Sequence, residues 1–207
     1  MTTLTQKNRL GEYVLCEADC TLSREAITVI AGDALESGQV LGQITVGASA
    51  TVAAMANTGN GTIGTVTLAA GAQAGAYFAY AIEPATNGGK FVVEDPAGKT
   101  IGIATVAVAF SAGGLTFTIA DGSTDFVSGD SFTITVAAGS GKYAPYDPAG
   151  TDGRQKAVAI LYAGLDTSAS DRRAVITARQ AEVDANRLVS LDAAARVSLA
   201  TKAIIVR

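Results

Sequence analysis

Residues 38–60 read GQVLGQITVGASATVAAMANTGN, and residues 138–148 read AGSGKYAPYDP. The first stretch opens as a strand, QVLGQIT over Gln39–Thr45, and then loses its pattern. From Gly47 to Asn60 it is small and polar, with no large apolar residue recurring at a fixed period. The second stretch begins with AGSG at Ala138–Gly141 and resumes as an aromatic, proline-bearing sequence. Both low-complexity stretches predict linkers. The economical arrangement is an insertion: the chain leaves an outer fold near Val46, builds a separate domain and returns near Ser140. Insertions are tolerated on exposed loops whose two ends lie close together.

Composition supports that division. Residues 51–138 hold 13 of the 23 Gly, all six Phe and two of the six Tyr, with Lys90 and Lys99 as their only cations and a net charge of −4. Residues 1–50 carry −3, and residues 139–207 hold 10 of the 15 cations and carry +3. A segment with its own aromatic supply and charge style reads as its own domain.

The middle segment reads as all-β. Thr62–Leu68, Ala76–Ile82, Lys90–Glu94, Ile101–Phe110, Leu115–Ala120 and Ser131–Ala137 are the predicted strands. Turn clusters Asn87-Gly88-Gly89 and Asp95-Pro96-Ala97-Gly98 bound the third, and Gly113-Gly114 is a hairpin signal. Phe117 and Ile119 alternate with threonines, as do Phe132, Ile134 and Val136, the period of a strand with one wet face. About six short strands imply an Ig-like or other small β-sandwich.

The outer parts predict strands at Ile27–Ile30, Gln39–Thr45, Ala174–Ala178 and Ile204–Val206. Lys156–Tyr162 (KAVAILY) is continuously apolar, as in a strand buried on both faces. Ser190–Lys202 predicts a helix, with Leu191, Ala195 and Leu199 on one face.

Several classes of chemistry are excluded or disfavoured. The 207-residue chain has no His, so no Ser-His-Asp triad and no His-ligated zinc site can form. Its net charge of −4 gives no basic footprint for nucleic acid. The longest apolar runs are about ten residues, half of what a membrane span needs. The N-terminus lacks an apolar signal core, which points to a protein made in a reducing cytoplasm. Cys16 and Cys20, four apart, read as two reduced side chains on one strand face, because an extended strand holds such residues too far apart for a disulfide. No cofactor motif is present: the Gly-rich stretches lack a phosphate-cradle ending, and Asp121, Asp125 and Asp130 do not match a calcium loop.

Removing the middle segment joins Leu22-Ser23-Arg24-Glu25, Ile27-Thr28-Val29 and Gly38–Thr45 to Gly141–Pro148, Asp152-Gly153, Lys156–Tyr162, Ala181-Glu182-Val183 and Ile204–Arg207. That ordered set, about 110 residues, resembles the head decoration protein family of tailed phages, the group of bacteriophage lambda protein D. The resemblance implies a mainly β, β-tulip-like fold with the C-terminal helix, interrupted by the β-domain. The domains are then an arm at 1–20, a discontinuous core at 21–50 and 139–207, and an insert at 51–138. The resemblance implies a non-enzymatic homotrimer on the outer surface of the virion head. It would seat at threefold and quasi-threefold positions of the expanded capsid and stabilise it against DNA pressure. The partner is the major capsid protein, met by an arm that orders only on the capsid.

Residue by residue, Met1–Leu10 is unpatterned and by itself reads as a disordered tail. As a strand-adding arm, its anchors are Leu4, Leu10, Tyr13 and Leu15, with Lys7 and Arg9 meeting acidic capsid surface. The loop bearing Tyr143, Pro145 and Tyr146 is either a packing loop or a trimer or capsid contact. The inserted domain is expected to project outward, with a host-surface glycan as its candidate ligand. Two competing readings remain. One is a glycan hydrolase using Glu94 and Asp95 or Asp121 and Asp125, although both pairs sit in turn clusters and the chain has no Trp. The other is a secreted, glycan-binding adhesin.

Overall fold

The structure, a computed structural model, describes residues 7–207, with the backbone alone at Cys20. It is mainly β. The chain divides into two compact units, Met1–Ile44 with Gly141–Arg207, and Thr45–Ser140. In chain order the first unit opens with β1 (Val14–Glu17), the short helix α1 (Cys20–Ser23), β2 (Arg24–Val29), β3 (Ala34–Leu35) and β4 (Val40–Gln43). The second unit holds β5 (Val46–Ala54), β6 (Thr62–Ile63), β7 (Thr67–Leu68), β8 (Gly75–Ala85), β9 (Gly88–Glu94), β10 (Thr100–Thr105), β11 (Ala109–Ala112), β12 (Leu115–Ala120) and β13 (Ser131–Ala138). The first unit closes with β14 (Tyr143–Pro145), β15 (Ala157–Leu161), β16 (Leu165–Asp166), β17 (Arg172–Thr177), β18 (Ala181–Val183), a 3-10 turn at Ala185–Arg187, α2 (Ala193–Ala200) and β19 (Ile204–Val206).

In the first unit, β14, β2, β17, β15 and β4 close into a small barrel, and β1, β18 and β19 form a separate three-stranded sheet. The continuous apolar run at 157–161 explains itself here. Ala159 and Leu161 join Val29, Leu41 and Ile176 in one core, while Ala157 and Ile160 join Val183, Ala195, Leu199 and Ile204 in another. A strand sandwiched between two cores has no wet face, so its sequence does not alternate. Helix α2 starts at Asp192, whose side chain accepts a hydrogen bond from Ala195 N, the usual way to satisfy an orphan first-turn donor. It buries Ala195 and Leu199, and Ala203 at φ +57° turns the chain into β19.

In the second unit, β10-β9-β8-β13-β5 form a five-stranded sheet and β11-β12-β6 a second sheet, with β7 also on β12. Both contribute to one core, in which Phe91 meets Phe126 edge-on at 5.0 Å and Phe132 lies 5.9 Å from each. The alternating positions Leu115, Phe117 and Ile119, and Phe132, Ile134 and Val136, all point inward. At the β11–β12 turn, Gly113 and Gly114 have φ +60° and +77°, the pair a tight two-residue hairpin requires. A Cβ on Gly114 would also sit 2.0 Å from Ala72 N, so only glycine fits.

Four local expectations are corrected. The stretch from Gly47, expected as a linker, is strand as far as Ala54: β5 pairs β13 through Ala54↔Phe132 to Val46↔Ala138, and its small side chains carry no large apolar signal because five of its nine residues are exposed. Ile101–Phe110 is two strands, turned by Val106–Val108 with Ala107 at φ +62°, in a sequence that offers no Gly or Pro at the bend. Thr62–Leu68 is likewise split into β6 and β7, which pair with opposite ends of β12. Cys16 lies on β1 but Cys20 begins α1, so the two do not share a strand.

Candidate functional site

The N-terminal segment is held along the first unit. Lys7 Nζ lies 3.2 Å from Glu36, and Asn8 Nδ2 donates to the carbonyls of Arg187 at 2.8 Å and Ser37 at 3.1 Å. Glu12 accepts from Arg9 N at 2.9 Å and pairs with Arg187 at 3.2 Å. Gly11 N donates to Tyr162 O at 3.0 Å. Tyr13 is then fully buried, its hydroxyl 2.7 Å from Thr177 Oγ1 and 3.4 Å from Ile160 O. Burial pushes its phenol well above the ordinary value; the Thr177 hydrogen bond opposes that shift only in part.

The segment therefore sorts into two kinds of residue. Leu4 lies outside the described residues. Lys7, Arg9, Leu10 and Leu15 are on the surface, with Leu10 65% and Leu15 57% exposed. Tyr13, expected to face a partner, faces inward instead. The correction has a plain cause: an aromatic ring with a hydroxyl gains more from a core position that satisfies its O–H than from water. Residues 8–17 thus pack against the first unit, with Tyr13 in its core.

The 143–146 loop also divides. Tyr143 and Pro145 lie on β14, half-buried, and Tyr143 lines an open cavity of about 410 Å³ with Glu25, Arg179 and Lys202. Burial raises the Tyr143 phenol, and Glu25 adds to the shift. Tyr146 is 5% exposed and donates to both Asp192 carboxylate oxygens at 3.1 Å, bracing the N-terminus of α2. Of the two readings of this loop, Tyr146 takes the packing one.

A groove of about 580 Å³ was not foreseen from sequence. Leu10, Ala26, Tyr162, Leu165 and Val175 supply apolar walls, and Arg24 and Arg173 stand at its edges. Arg24 lies 3.9 Å over the Tyr162 ring and makes a two-pronged pair with Glu17. The residues come from four separate stretches of chain, so no local pattern announces them.

Of the acids considered as catalytic pairs, Asp95 and Asp125 accept from backbone N–H groups, while Glu94 lies on β9. Asp95 accepts from Ala97 N and Lys99 N, each at 2.9 Å, and Asp125 from Asn87 N at 2.8 Å. Glu94 accepts from Tyr80 at 2.8 Å. Asp130, 4% exposed, accepts from Thr58 N, Gly59 N and Val127 N at 2.8–3.0 Å. Burial alone would raise its carboxyl, but the three N–H donors outweigh that and hold it low. Among the described residues, no group of three acidic or Cys side chains is placed to hold a metal, and no helix is long and apolar enough to cross a membrane.

No curated protein matches the chain. Solved structures give weak likenesses. FlgL from Xanthomonas campestris is 21% identical over 48% of this chain and 33% of its own, with a TM-score of 0.35. The flagellar junction protein FlgL from Legionella pneumophila is 15% identical over 49% and 35%, TM-score 0.35. The flagellar hook junction protein FlgK from Burkholderia pseudomallei is 24% identical over 61% and 21%, TM-score 0.34. The chain spans about a third or less of each of these proteins, and at such scores the likeness carries no argument. The model of the bacteriophage lambda head decoration protein D family, by contrast, matches residues 3–204, nearly the whole sequence. The chain belongs to that family of structural, capsid-decorating proteins, which is not a family of enzymes.

Proposed function

We propose that this protein is a non-enzymatic cement on the outer surface of an expanded phage head, bound as a homotrimer at threefold and quasi-threefold positions. Its partner is the major capsid protein. The family match over residues 3–204 carries this reading. The first unit would be the shell-binding core, and the residues before Asn8, with exposed Arg9, Leu10 and Leu15, its anchoring strip. A segment that adds a strand to a partner's sheet gains backbone hydrogen bonds, and alternate side chains give register. Three copies of a modest contact reinforce one another through effective concentration. Such clamping would oppose the pressure of packaged DNA.

The second unit would be an outward-projecting insert. Its entry and exit lie side by side, Val46 pairing Ala138, as an insertion in one loop requires. A second activity is favoured by one observation there. Phe78, Tyr80 and Ile82 are 47%, 36% and 41% exposed along one face of β8, and Tyr80 donates to Glu94. A flat aromatic face beside a carboxylate suits a host-surface glycan, stacking on sugar C–H faces and accepting from hydroxyls.

Co-sedimentation with expanded, undecorated heads of the encoding phage, followed by particle averaging, tests the cement role. Saturation at three copies per threefold position, with density pointing outward, is the expected result. A folded protein that stays in the supernatant removes it. A glycan array probed with the full protein, and with Tyr80→Ala, tests the second activity.

A further inference from the structure

The apolar groove of the first unit has a feature that a barrel exterior normally lacks. β2 and β17 pair with Val175 directly opposite Ala26, while the next residue, Ile176, points into the core. Alternation calls for polar side chains at the outward positions, yet both are apolar, and Val175 is 42% exposed. Leu10, 65% exposed, and Tyr162 wall the same space. The groove is preformed, because Arg24 stacks on Tyr162 and is itself fixed by Glu17. Its volume of about 580 Å³ lies within the range of ligand-binding clefts, more than enough for one aliphatic side chain and its neighbours.

Charge narrows the occupant. Both ionised residues lining the groove, Arg24 and Arg173, are cations, and none of its described lining residues is acidic. Arg173 is exposed and makes no ion pair among the described residues, whereas Arg24 is neutralised by Glu17. An apolar floor with one available cation at its rim complements an aliphatic side chain followed by a carboxylate.

We propose that the groove seats an extended segment of the capsid protein, an aliphatic residue lying between Leu10 and Val175 and an adjacent Asp or Glu meeting Arg173. The inference rests on the decoration reading above. Leu10 lies three residues after Lys7, so a shell segment running along the N-terminal strip reaches the groove without a gap. Tyr162 Oη is not needed: recognition is by apolar contact and one charge-assisted pair, which anchors a segment without demanding much of its sequence.

The test uses the full chain and expanded heads. Val175→Glu places a negative charge where the occupant's aliphatic residue would lie, and Arg173→Glu places one opposite its carboxylate. Each is expected to weaken apparent head affinity about tenfold or more, a single lost anchor repeated across three copies. Val175→Thr, nearly isosteric, guards against a folding artefact and should give a smaller loss at unchanged melting temperature. A benzophenone side chain introduced at Leu10 should crosslink to the capsid protein on irradiation. Undiminished binding by both charged variants, with wild-type binding intact, overturns the groove alone. A crosslink to the chain's own N-terminus or to a second copy overturns it as well. Wild-type protein that does not pellet with heads overturns both the groove and the cement role.

Discussion

The Tyr13 hydroxyl and Thr177 Oγ1 lie 2.7 Å apart in the core of the first unit. One hydrogen bond thus joins the N-terminal segment to β17 across 164 residues of sequence. The stability of the barrel and the placement of the N-terminus are therefore linked. Tyr13→Phe is expected to cost about 1 kcal/mol, one buried hydrogen bond, and Tyr13→Ala about 3–5 kcal/mol from the cavity. The phenol's raised pKa adds a pH signature. The folded state binds its proton more tightly than the unfolded chain, so the contribution is complete below about pH 10 and fades as pH rises further. Denaturant titrations at pH 8 and 10.5 should show a slope that Tyr13→Phe reduces.

Truncation separates anchoring from folding. Removing Met1–Gln6 keeps the Lys7, Asn8 and Tyr13 contacts with the first unit, so that unit should retain its cooperative melting transition. If the proposed arm is the anchor, the same truncation should abolish binding to expanded heads. Removing Met1–Leu15 deletes Tyr13 as well and should unfold or strongly destabilise the first unit, seen as loss of its cooperative transition.

At the other end of the same core, Asp192 both caps α2 and accepts from Tyr146. Asp192→Ala should cost about 1–3 kcal/mol by losing the cap and leaving the Tyr146 hydroxyl unpaired. Asp192→Asn, which keeps an acceptor, should cost less. Chemical denaturation of the two variants side by side checks the order.

Asp130 locks the loop at 57–59 to the turn at 127–130 in the second unit. Its carboxyl is held below the usual range, so its contribution is complete above about pH 4 and is lost as pH falls through the folded value. Asp130→Asn should destabilise the second unit by about 2–3 kcal/mol at pH 7 and flatten its acid limb. Equal acid sensitivity in the variant would show that other carboxyls dominate.

Residues 45–140 expressed alone should fold. Their core is built wholly from residues within that span, and the ends are joined by the Val46–Ala138 pair and by Gly139 N donating to Thr45 O at 3.0 Å. A single cooperative melt and dispersed amide resonances would be the expected signs.

Much of this architecture is written locally. The Gly113-Gly114 hairpin, the alternation in β12 and β13, the unbroken run of β15 and the Leu191, Ala195 and Leu199 face of the last helix are each visible in a few neighbouring residues. Each leaves a local mark: a backbone angle only glycine takes cheaply, a two-residue side-chain period, an apolar run without alternation, a helical side-chain period. The family resemblance is likewise an ordered set of short motifs.

What the linear order could not settle are matters of who meets whom. Nothing around Tyr13 says that its hydroxyl finds Thr177 and not a partner's backbone, since an aromatic residue in a polar segment suits either. Gly47–Ala54 has a linker's composition and becomes a strand because β13 pairs with Ala50–Ala54 residue by residue and with Val46 beyond a bulge. The groove exists only because a closed barrel sets Val175 opposite Ala26 and the N-terminal segment lays Leu10 beside them. Short-range sterics and hydrogen bonding act between neighbours in the chain and so can be read from it. Burial and pairing act between residues up to 179 positions apart, as Asn8 and Arg187 are, and only the folded chain brings those together.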